Sequence, residues 1–157
     1  MAQPARVLFV FVAMVALAHP VAAQGGVSDQ PAPVLDNVDL MDLMVKPAYD
    51  GLQKALRRPP DNRKAWAALY QDAARLAEIE NLLYFRSRAD AARKAEWTAA
   101  VARAQHASAD LTAAALTALR NARASDFDDV RRRLPAVAEA CTACHRAFAR
   151  EAPVIRP

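Results

Sequence analysis

Apolar residues recur at steps of three and four over four separate stretches, each bounded by residues that start or stop a helix. The first stretch runs from a cap at Asp36 to Arg58, with Met41, Met44, Ala48, Leu52 and Ala55 on one stripe. Pro59-Pro60 closes it. Pro47 falls inside and predicts a bend or local break, because it removes a backbone donor and crowds the preceding turn. Asp61 or Asn62 caps the second helix, whose stripe is Trp66, Leu69, Ala73, Leu76, Glu80 and Leu83. The charge at Glu80 leaves the boundary of that face open. After a charged break from Arg86 to Asp90, a long third helix places Trp97, Val101, Ala104, Leu111, Ala115 and Leu119 on one side. Ser125 or Asp126 caps the fourth, with Asp126, Asp128 and Asp129 in the first turn, where the helix dipole favours acids. Its stripe, Phe127, Val130, Leu134, Val137, Cys141, Cys144 and Phe148, is the most regular of the four. Pro135 predicts a kink ahead of Cys141.

Four amphipathic helices with short connections predict an all-α fold, an antiparallel up-down-up-down four-helix bundle spanning residues 36–152. Composition agrees. Glycine occurs three times, all before residue 52, and β-branched residues are few, which disfavours a sheet.

The chain before the bundle has a different character. Arg6 is the only charge in the first 28 residues, and a 12-residue apolar run follows it, Val7 to Ala18. His19-Pro20 and then Val21-Ala22-Ala23 complete the pattern of a secretory signal peptide, residues 1–23, cut after Ala23. The apolar run is shorter than the roughly 20 residues that span a bilayer, and no cysteine lies near the cut to take a lipid. Export to the periplasm is the expectation, with no stable membrane insertion after cleavage. Residues 24–35, with Gly25, Gly26, Ser28, Pro31 and Pro33, read as a flexible lead-in. Cleavage removes one Arg and no acid, so the net charge drops only from +4 to +3. With no block of basic residues, nucleic acid is a poor partner.

Both cysteines fall in one short motif, Cys141-Thr142-Ala143-Cys144-His145. A disulfide between them would close so small a loop that it would constrain little. A thiol–disulfide oxidoreductase places such a pair at a helix N-terminus, whereas this pair lies deep in the fourth helix. Structural zinc needs four ligands, and beyond the motif the mature chain adds only His106. The spacing C-x-x-C-H is that of haem c attachment. Cysteines at i and i+3 project to one side of a helix, suited to two thioether bonds to one haem, and His145 follows as an axial iron ligand. For the second axial position, His106 lies nine residues after Trp97, about 180° round the helix at ~100° per residue, and so points away from the core. Met41 and Met44 are the remaining candidates, either as iron ligands or as soft core filler.

With these residues in hand, the chain resembles the cytochrome c-prime and cytochrome c556 family, the class II c-type cytochromes. The resemblance covers about residues 37–150. It rests on Leu40-Met41, Val45-Lys46-Pro47 and Asp50 in the first helix, and on Trp66, Glu78 and Asn81-Leu82-Leu83 in the second. Trp97 early in the third and the late Cys141–His145 motif followed by Phe148 complete it. The resemblance implies a four-helix bundle with one covalent haem c, and a first-helix residue at Met41 that faces the iron. A ligating Met41, with Met44 one turn later as the reserve, implies a low-spin c556-like electron carrier. A Met41 that merely covers the iron implies a five-coordinate c-prime-like protein that binds NO or CO.

The expected function is therefore single-electron transfer rather than an enzymatic reaction, since no nucleophile–base pair or second metal site stands out. The partners would be redox proteins, and a homodimer is compatible with the resemblance. Arg131, Arg132, Arg133, Arg146 and Arg150 on the fourth helix could steer an acidic partner, or simply form a solvated face.

Overall fold

A computed structural model describes residues 32–87 and 90–157. The expected signal peptide, most of the lead-in and part of the break before the third helix lie outside the described residues. From Pro33 to Pro157 the chain forms one compact unit.

The described residues are helical with no strand, and four helices pack against one another. The first is a continuous helical run in three parts: α1 (Asn37–Leu40), a π-helical turn (Met41–Val45) and α2 (Lys46–Ala55). The others are α3 (Arg63–Leu83), α4 (Lys94–Asn121) and α5 (Ala124–Phe148). Asp36 caps the first run through its side chain, accepting from the Asp39 N–H at 2.9 Å. Asn62 caps α3 in the same way, accepting from the Ala65 N–H at 2.9 Å. Ala122, at φ 53° in the left-handed region, ends α4 and turns the chain directly into α5.

Two expectations about helix ends are corrected. The first run stops at Ala55 rather than Arg58. The fourth helix begins at Ala124, so Ser125 and Asp126 lie inside it. Arg123 occupies the N-cap and pairs with both Asp126 oxygens, at 2.9 and 3.1 Å, so Asp126 is spent on an ion pair in the first turn and not on a cap.

At Pro47 the local break takes the form of a change of helical register, a π-helical turn over Met41–Val45. Without an N–H it cannot bond the Leu43 carbonyl one turn back. The turn before it widens, and the Lys46 N–H reaches the Met41 carbonyl five residues away. This shift splits the expected stripe. Ala48 and Leu52 are fully buried, Met41 is half-buried, and Met44 is 37% exposed, while Leu40 and Tyr49 take the inward positions. Pro135 sits exposed in α5, which remains helical through it.

Side chains gather in two buried clusters. The larger draws Tyr49 and Leu52, Leu69 and Leu76, Leu111 and Ala115, and Val130 and Val137 from the four helices. The smaller consists of Leu40, Ile79, Leu83, Trp97 and Val101, with Met41 and Phe148 packed against it. The start of the first helical run and the end of α5 therefore meet at the same cluster. The first run packs along α3, α3 along α4, and α4 along α5. Between the first run and α5 no pair of Cα atoms comes within 8 Å.

Candidate functional site

Cys141, Cys144 and His145 sit in the last turns of α5. Cys141 packs against the larger cluster. Both thiols are free and half-buried, as is His145. Between the cysteines the helix buries Thr142 instead, at 7% exposure. The deep stripe of α5 thus swings at its end from the cysteines to Ala138 and Thr142, leaving both cysteines half-buried.

The imidazole is held from behind. His145 Nδ1 lies 3.0 Å from the carbonyl oxygen of Pro153. A carbonyl can only accept, so Nδ1 is the donor in this contact, and in the neutral ring that leaves the lone pair on Nε2, the form required of an iron ligand. Such a bond to the distal ring nitrogen also fixes ring orientation and raises ligand basicity.

Burial pushes the Cys141 thiol up to about 12, reinforced by the charges of Glu80 and Cys144. Burial raises Cys144 as well, with Arg103 opposing and Glu80 adding to it. Tyr49 is raised to about 12, first by burial and then by Cys141. Such neutral thiols lack the stabilised thiolate of a redox-exchange site.

Glu80 resolves the ambiguity left by its sequence position: it is in the core, 2% exposed. Burial raises its carboxyl to about 7, offset a little by the neighbouring Ser108 hydroxyl. Neither carboxyl oxygen, nor the Ser108 hydroxyl, makes a well-formed hydrogen bond among the described residues.

The remaining sequence candidates separate clearly. Met41 is directed to the smaller cluster, whereas Met44 is largely on the surface. His106 is exposed. Among the described residues no group of three or more His, Cys, Asp or Glu side chains could hold a metal ion. Arg131 reaches Asp128 at 4.0 Å, and Arg132 and Arg133 both reach Asp129 at 3.2 Å, so three of the five arginines are already paired along their own helix. No described helix is long and apolar enough to cross a membrane.

Sequence reasoning missed the Pro153 carbonyl and the anchoring role of Thr142. Prolines at 153 and 157 signal chain that leaves the helix, but nothing in the sequence says where a carbonyl in such chain will point. Comparison with known protein families, curated proteins and solved structures gave no match for this chain.

Proposed function

We propose that this chain is an exported monohaem c-type cytochrome that transfers single electrons in the periplasm, built as an up-down-up-down bundle. The observation that carries this reading is the state of the motif: two free, half-buried thiols one turn apart, followed by an imidazole whose Nδ1 is fixed on a carbonyl so that Nε2 is available. Cys141 and Cys144 would hold the haem through thioethers, and His145 would ligate its iron. Met41 is the candidate for the second axial position, with the exposed Met44 in reserve. The haem would supply an iron that cycles between ferric and ferrous states. The spacing of the first helical run from α5 fits this role, because a flat group attached to α5 needs room that close backbone packing would deny. Leu40, Val45, Tyr49, Leu83 and Trp97 would exclude water around it, which favours the less charged ferrous centre.

A second reading has its own support. Met41 packs against the apolar cluster of Leu40, Leu83 and Trp97, as a lid would. In that case the iron is five-coordinate and takes NO or CO.

Optical spectra of protein made with the haem c attachment machinery test both readings. A low-spin spectrum with a far-red sulfur-to-iron band supports the carrier. A high-spin spectrum that shifts with CO supports the gas-binding form, and a protein that acquires no haem refutes both.

A further inference from the structure

The chain after α5 does not trail into solvent. The Ala149 N–H bonds the His145 carbonyl at 2.7 Å and the Ala152 N–H bonds the Ala149 carbonyl at 2.8 Å, which reverses the chain. It then runs back beside α5. Pro153 meets His145 as described. Two residues on, Thr142 uses its hydroxyl twice, accepting from the Ile155 N–H at 3.0 Å and donating to the Ile155 carbonyl at 3.3 Å. The Arg156 carbonyl takes two donors from α2, the Tyr49 hydroxyl at 2.8 Å and Gln53 Nε2 at 2.9 Å. Ile155 packs against the larger cluster. The segment 153–157 is therefore a strap that bridges α2 and α5, the two elements whose backbones stay apart.

We propose that this strap is a positioning device for His145, holding the imidazole and its Nδ1 proton and thereby setting how strongly Nε2 donates to the haem iron. The inference rests on the haem reading above. Its chemistry is specific. A carbonyl drawing on the Nδ1 proton makes the ring a stronger donor at Nε2, and a stronger donor stabilises ferric over ferrous iron. The strap is suited to hold that carbonyl still, since Pro153 and Pro157 restrict the backbone before any contact forms. Its anchors are side chains of the bundle bonding to backbone atoms of the strap, so Tyr49, Gln53 and Thr142 control the placement of Pro153 without touching the imidazole.

A strap that merely covers the core would affect stability alone. The test is the reduction potential of the haem-loaded protein, measured with its absorption spectrum and melting temperature. The variants are Thr142→Val, Thr142→Ser, the pair Tyr49→Phe with Gln53→Ala, and a chain ending after Ala152. Loosening the strap through Thr142→Val, through the α2 pair or by truncation is expected to shift the ferric/ferrous balance about tenfold toward ferrous, a rise of about 59 mV for one electron. Thr142→Ser, which keeps the hydroxyl, is expected to retain the wild-type potential. Should truncation prevent folding, the point variants decide the matter. Potentials that stay fixed while melting temperatures fall would overturn the positioning role and leave the cytochrome reading standing. Wild-type protein without haem would overturn both.

Discussion

Trp97 and Phe148 meet edge to face, with ring centroids 5.1 Å apart and planes at 75°. The contact clamps the last residue of α5 to the first turn of α4. Trp97 also donates its indole N–H to the Leu83 carbonyl at 2.9 Å, which ties the end of α3 into the same point. Arg93 closes the outside: its guanidinium stacks 4.5 Å from the Phe148 ring centre and donates to the Ala147 carbonyl at 3.0 Å. A cation there satisfies a helix-end carbonyl and opposes the negative end of the dipole.

Phe148→Ala is therefore expected to lower folding stability by about 2–3 kcal/mol, somewhat below the cost of removing a fully buried phenylalanine. Phe148→Leu should cost about half as much, because it keeps most of the apolar volume. Urea denaturation measures both. A loss near zero for the alanine variant would show that this clamp does not hold the end of α5.

Glu80 gives the protein an expected pH dependence. In the unfolded chain its carboxyl ionises near 4.5, while in the folded protein burial delays this to about 7. Between those values the folded state binds more protons, so stability declines as pH rises. Below about 4.5 both states are neutral and no penalty applies. Above 7 the penalty is complete, on the order of 3 kcal/mol at 1.36 kcal/mol per pKa unit. Glu80→Gln removes the charge, so its advantage in unfolding free energy over wild type should widen by up to about 3 kcal/mol between pH 4.5 and 8. A constant difference across that range would mean that Glu80 ionises as it would in water.

How far these features were legible depended on whether they were local. Trp66, Leu69, Ala73 and Leu76 recur with helical spacing, and all four are buried. The capping role of Asn62 could be read in the same way, as a side chain serving its own helix. Met44 could not be placed, because Pro47 changes the hydrogen-bond pattern upstream and turns the earlier residues away from the stripe that a uniform 3.6-residue period predicts. Glu80 was ambiguous for a related reason: periodicity put it on the buried face, its charge argued against burial, and only the tertiary packing that buries it decided. The C-x-x-C-H motif was visible at once, but the support behind His145 depends on chain folding back eight residues later, a tertiary event with no periodic signature.

Gly51 marks a close approach between α2 and α3. A Cβ there would lie 2.5 Å from the Asp72 carboxylate oxygen Oδ2. Asp72 is held by Arg75 at 2.8 Å, and burial raises its carboxyl despite that partner. Gly51→Ala gains about 1 kcal/mol of helix propensity but must push the carboxylate aside, so the single variant should be near neutral or slightly destabilised. In an Asp72→Ala background the obstruction is gone, and the same change should stabilise by about 1 kcal/mol. A double-mutant cycle by thermal denaturation reads the difference. Additive effects would show that the two residues do not collide.

If the chain carries the haem proposed above, Met41 and Met44 can be separated by their effects on its iron. The π-helical turn places Met41 against the cluster that also receives Phe148 from the haem-motif helix, while it leaves Met44 37% exposed. Only Met41 is thus directed inward at the end of the bundle where α5 finishes. If Met41 ligates, Met41→Ala should convert a low-spin spectrum to a high-spin one, remove the far-red sulfur-to-iron band and open the iron to CO. Its reduction potential should fall, because a thioether favours ferrous iron. Met44→Ala should leave all of these unchanged. The reverse pattern would mean that haem attachment relaxes the π turn and restores the stripe expected from the sequence. Unchanged spectra in both variants would exclude methionine ligation and favour the five-coordinate reading, in which Met41 acts by bulk: Met41→Ala would then speed CO binding without altering the spin state.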